Sequence, residues 1–159
     1  IGRWTSHQDV RVRHQAIRLQ LATPGGRDAG VRAALLDGTP RLVHSGLAAL
    51  QQDCPAGLIE LVSRLALDAT VEAHLRVLAI RALIRSRDAR ALAALLTLTD
   101  GGRRFFAGTK LPPKSAVVLA ALGGLAASWG HDQAAIARVG LAARSADPEL
   151  RSAVAGGAP

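Results

Sequence analysis

Apolar and polar residues alternate with helical period from Asp9 to Leu21, in the order Asp-Val-Arg-Val-Arg-His-Gln-Ala-Ile-Arg-Leu-Gln-Leu. Val10, Ile17 and Leu21 fall on one side of a 3.6-residue wheel, and Val12, Ala16 and Leu19 fall on a roughly opposite side. Arg11, Gln15 and Arg18 fill one polar strip between them, and Arg13 and Gln20 fill the other. A helix with two apolar faces is expected to sit between neighbours, and the rest of the chain supplies copies. Starts of this first type are expected at Asp9, Thr39-Pro40, Thr70, Pro112-Pro113 and Asp147-Pro148, where a side-chain acceptor or a proline suits the first turn. In register with Val12, Ala16 and Leu19 stand Leu42, Gly46, Ala49; Ala73, Val77, Ile80; Ser115, Leu119, Leu122; and Leu150, Val154, Gly157.

A second helix is expected after each first one, capped by Asp28, Asp53, Asp88 or Asp132. The spans are Ala29 to Leu36, Pro55 to Leu67, Ala89 to Leu98 and Gln133 to Arg144. Breaks are expected at Thr-Pro-Gly-Gly 23–26, Asp-Gly 37–38 and Gly130. Gly123-Gly124 interrupts a helical pattern, where glycine costs about 1 kcal/mol against alanine, so close helix packing is expected there. The spacing of about 30 to 42 residues between first helices is that of helical-hairpin repeats.

Composition supports an all-helical chain. Of 159 residues, 49% are apolar but 3% aromatic, so the bulk comes from Leu, Val, Ile and Ala. The length suits one domain. A single cysteine, Cys54, excludes an internal disulfide, and a buried or incidental thiol is the plain reading of it. No apolar run approaches the roughly 20 residues of a membrane-spanning helix, so no membrane insertion is expected. The first residues do not resemble a signal peptide, and the chain is expected to be a fragment of a longer, cytoplasmic protein.

The pattern Asp-x-x-Val-Arg-x-x-Ala at Asp9, Val12, Arg13 and Ala16, echoed by Asp147, Leu150 and Arg151, resembles the first helix of a HEAT repeat. The resemblance implies an all-α, right-handed α-solenoid of about four HEAT-like hairpins plus a partial fifth. Its units are 9–37, 39–68, 70–99, 112–145 and the partial 147–157, with a loop insertion at 100–113. Val43, His74 and Ala116 stand where the family has Arg, so an Asp–Arg ladder between repeats is expected to break in the middle. Trp4 is expected to cover the open end of the stack.

Charge singles out one region. The chain carries +8, and the segment from Arg76 to Lys114 holds nine cations against the two anions Asp88 and Asp100. His74, Arg81 and Arg85 share a strip of the third first-helix, and Arg103, Arg104, Phe105, Phe106, Lys110 and Lys114 populate the loop or follow it. In one reading these residues bind anions, with the phenylalanines stacking on bases or filling a partner's groove. In the other, the cations complement helix C-termini and the phenylalanines pin the loop. Eighteen of the 20 cations are Arg, a bias that a GC-rich bacterial genome also produces. His7, His14, His44, His74 and His131 show no i, i+4 metal spacing, and the matched repeat positions of His14 and His44 favour a structural role. No nucleophile elbow, phosphate loop or paired-carboxylate signature is present.

The expectation is therefore a non-catalytic protein-interaction or scaffolding module without cofactor or metal. Its partner would be a protein or peptide, acidic if the basic loop holds it. The alternative is nucleic-acid binding through the basic third repeat and loop 100–114.

Overall fold

The computed structural model describes residues 2–23, 25–104 and 108–156. Among these residues the chain is almost wholly helical. A 3-10 helix, Gly2–Ser6, precedes α1 (Val10–Ala22), α2 (Arg27–Asp37), α3 (Pro40–Ala49), α4 (Ile59–Leu67), α5 (Ala73–Ser86) and α6 (Ala89–Leu98). After α6 the backbone pairs Arg103–Arg104 (β1) with Gly108–Thr109 (β2) in an antiparallel register, Arg103 opposite Thr109. Then follow α7 (Ala116–Ser128), α8 (Gln133–Ala143) and α9 (Pro148–Ala155).

Side-chain chemistry sets these boundaries. Asp9, Asp88 and Asp147 each accept a hydrogen bond from the backbone N–H two residues on, at 2.8, 2.8 and 2.9 Å, while Ser115 and Asp132 accept from the N–H three residues on. Each bond satisfies a helical donor that has no partner within the helix. Gly38 ends α2 at φ 75°, a left-handed conformation that costs glycine nothing and that fits the expected break at 37–38.

Four expected starts move. The hydroxyl and N–H of Thr70 both donate to Asp68, at 2.7 and 2.8 Å, so Thr70 belongs to a turn and α5 starts after Glu72. Pro112-Pro113 lie outside any helix, and Ser115 caps α7. Asp28 lies inside the first turn of α2, which starts at Arg27, and Asp53 precedes a turn in which Leu58 N–H donates to Pro55 C=O. Neither of these two aspartates caps a helix, and α4 starts at Ile59 rather than Pro55.

The first-type helices thus follow Asp9, Thr39, Glu72, Ser115 and Asp147, at spacings of 30, 33, 43 and 32 residues. This register replaces the expected third and fourth copies with Leu75, Ala79, Ala82 and Val118, Leu122, Leu125, and all six are buried. It also removes His74 and Ala116 from the position equivalent to Arg13 on α1. Arg76 takes that place in α5, and its Nε donates to Ala66 C=O at 2.9 Å.

Contacts run along the chain order. α1 packs on α2 and α3, α3 on α2 and α5, α5 on α4 and α7, and α7 on α6, α8 and α9. The second-type helices also touch in sequence, α2 with α4, α4 with α6, and α6 with α8. Fully covered side chains such as Ile17, Leu47, Leu83, Leu95 and Leu122 line the seams, each worth about 1.5–3 kcal/mol. Gly124 lies where α7 meets α5, and a Cβ there would stand 2.5 Å from two carbons of Ile84. Close packing is what keeps this position glycine.

Candidate interaction surfaces

Acidic groups are spent at helix ends. Arg13 Nε bonds Asp37 Oδ2 at 2.5 Å while its Nη1 donates to His7 C=O (2.7 Å) and Gln8 C=O (3.0 Å). Arg151 repeats half of this arrangement, with Nη1 donating to Ser145 C=O (2.7 Å) and Ala146 C=O (2.9 Å) at the same offsets. In both, the guanidinium clasps the chain that enters the helix. Burial works to raise the Asp37 pKa, but bonds from Thr39 and Arg13 outweigh it, and the carboxyl titrates below its ordinary value. Asp88 is held down to about 2 by Arg90 and the Arg90 N–H.

The expected basic surface comes apart into engaged and free groups. Lys114 Nζ bridges Asp147 (2.9 Å) and Glu149 (3.0 Å), tying the entry of α7 to the first turn of α9 and raising the lysine pKa. Arg81 and Arg85 are exposed on α5, with no hydrogen-bond or ion-pair partner among the described residues. Lys110 is exposed, and its backbone pairs with Gly101 and Gly102. Arg103 and Arg104 contribute the backbone of β1. Phe105 and Phe106 lie outside the described residues. Arg138 anchors the loop from α8, bonding Asp100 at 3.1 Å.

A second surface lies on α1. Trp4, Arg11, Val12, Gln15, Ala16 and Leu19 line a shallow groove of about 380 Å³. Trp4 sits above the helix but stays 52% exposed, and Leu19 is 59% exposed. Only one apolar face of α1 is therefore well covered. Trp4 roofs the other in part, and Val10 of the first stripe is itself 48% exposed.

Other candidate chemistry is weak. Cys54 is buried, and desolvation followed by the Asp53 charge pushes its thiol up to about 11. Among the described residues no group of three His, Cys, Asp or Glu side chains is placed to hold a metal ion. No described helix is long and apolar enough to cross a membrane. His14 is half-buried and His44 exposed, and neither makes a hydrogen bond among the described residues.

Compared with protein families, characterised proteins and solved structures, the chain matches none.

Proposed function

We propose that the chain is a right-handed stack of HEAT-like helical hairpins acting as a non-catalytic protein-interaction or scaffolding module. The stack is supported by neighbour-only helix packing, by the five first-type helices in one register, and by the matching clasps of Arg13 and Arg151. The binding role is carried by one observation, the half-roofed apolar groove of Trp4, Val12, Ala16 and Leu19 on α1. Its positions are those that Leu75, Ala79 and Ala82 fill as buried contacts in α5. A partly exposed apolar face roofed by an aromatic, with Trp4 and Leu19 exposed, suits a partner's apolar helix or strand. The described acids whose contacts are known serve caps and ion pairs, which supports a role without catalysis.

Panning a peptide library against the purified protein tests this reading. Enriched peptides are expected to slow amide exchange in α1 and to lose binding to Leu19→Asp, with the helical circular dichroism unchanged. Peptides that bind equally well to Leu19→Asp would refute it.

A second reading, binding of a phosphate backbone through the third repeat and loop 100–114, is supported by the unpartnered Arg81 and Arg85. It predicts loss of duplex binding when Arg103, Arg104, Lys110 and Lys114 are replaced by Ala.

A further inference from the structure

The free guanidiniums of this protein are not confined to the third repeat. Counted from the N-caps Asp9, Thr39 and Glu72, the second, fifth, ninth and thirteenth positions of a helix lie within about 40° of one line, opposite its buried side. On α1 that line carries Arg11, His14, Arg18 and Ala22, and on α3, which ends before the thirteenth position, it carries Arg41, His44 and Ala48. On α5 it carries His74, Val77, Arg81 and Arg85. Five of these eleven side chains are Arg and three are His, and no Asp or Glu occurs anywhere within α1, α3 or α5. Carboxylates stand at the edge of the strip, Glu72 3.3 Å from His74 Nδ1 and Asp9 accepting the Arg11 backbone N–H at 2.8 Å.

All five arginines are exposed, and among the described residues none of their guanidiniums has a hydrogen-bond or ion-pair partner. Arg13 and Arg76, on other sides of α1 and α5, are bonded internally. The unpaired charge is thus sorted by face. Because α1 packs on α3 and α3 on α5, equivalent positions stand side by side, about 8–10 Å apart across the helices. Along one helix, Arg11 and Arg18 are about 10 Å apart.

We infer that this face binds the phosphate backbone of a nucleic-acid duplex without reading its sequence. A two-dimensional array of unpaired cations with no interspersed carboxylate creates a positive potential over the whole face. The planar guanidinium suits phosphate oxygens. Within the strip only Ala22, Ala48 and Val77 are apolar, so it lacks the large buried anchor on which protein interfaces depend. The inference extends the second reading above from one repeat to three. It fails separately from that reading, because Arg81 and Arg85 are common to both while Arg11, Arg18 and Arg41 belong to this face alone and Arg103, Arg104, Lys110 and Lys114 to the loop alone.

The test is fluorescence anisotropy of the whole chain with a labelled random-sequence 20-base-pair duplex, read across salt concentration. Micromolar binding is expected at low salt. If the five arginines each meet one phosphate, log K should fall against log salt with a slope of about −4.5. Arg18→Gln, Arg41→Gln and Arg81→Gln should each reduce that slope by about one, and Arg→Lys at the same sites should retain most of it. Arg144→Gln, away from the strip, should leave it unchanged. Circular dichroism on each variant separates lost binding from lost folding. No binding at 20 mM salt would overturn the inference. So would binding that survives Arg18→Gln and Arg41→Gln but vanishes when Lys110 and Arg103 are replaced, which would place the contacts in the loop. Equal affinity for a poly-glutamate peptide of matched charge would overturn it in favour of an acidic protein.

Discussion

Replacing Arg13 with Ala removes three contacts at once: the bond to Asp37 and the two bonds to the chain entering α1. Asp37 is then left in a pocket where its side chain is only 5% exposed, with Thr39 as its remaining donor. Stranding one partner of a fully buried ion pair costs about 3–5 kcal/mol. Arg13 is 19% exposed and Thr39 keeps part of the carboxylate's solvation, so about 2–3 kcal/mol is expected here. For a domain of this size that lowers Tm by roughly 4–10 °C. The assay is thermal and urea unfolding of Arg13→Ala, Asp37→Asn and the double variant, whose cycle isolates the pair. Because the folded Asp37 titrates below its ordinary value, its contribution is complete above about pH 4 and is lost as pH falls through the folded value. The Arg13→Ala deficit should therefore shrink in acid to what the two carbonyl contacts supply. A coupling energy under about 0.3 kcal/mol, or a deficit equal at pH 7 and pH 2.5, would refute the reasoning.

Other outcomes follow from the same geometry. Gly124→Ala should destabilise the fold by about 1–3 kcal/mol through its clash with Ile84, and adding Ile84→Ala should recover part of the loss in urea titrations. Lys114→Ala should speed amide exchange in α9 while leaving α1–α3 unchanged, and high salt should reproduce part of the effect. Cys54 should ignore a thiol reagent at pH 8 in the native state and react fully in urea, because burial and a pKa of about 11 suppress its thiolate.

Helix existence was legible in the sequence wherever periodicity and a capping residue coincided, as at Asp9, Asp88, Asp132 and Asp147. Starts went astray where a plausible cap had a better local use. Thr70 bonds back to Asp68 in a turn, and Asp53 stands before a turn rather than a helix. The two-residue error at Thr70 had a functional consequence, because it hid Arg76 from the position that Arg13 holds on α1. Shifting the register to Glu72 brings Arg81 into the place that Arg18 holds on α1. Net charge along the chain pointed to 76–114, yet Arg76, Arg90 and Lys114 within it are engaged internally. The signal that does find the basic face is the absence of Asp and Glu from the interiors of α1, α3 and α5, a pattern visible only when equivalent helix positions are compared.

The proposed stack, in which each hairpin is held by its neighbours alone, can be tested by ending the chain before Asp147. Among the described helices α9 packs on α7 and α8, where Leu150 and Val154 meet Val118, Leu122, Ala126 and Ala142. Amide spectra of the shortened protein should change in α7 and α8 and match the parent through α1–α4. Shifts spread across the whole chain, or global unfolding in a single step with α9 removed, would contradict the account.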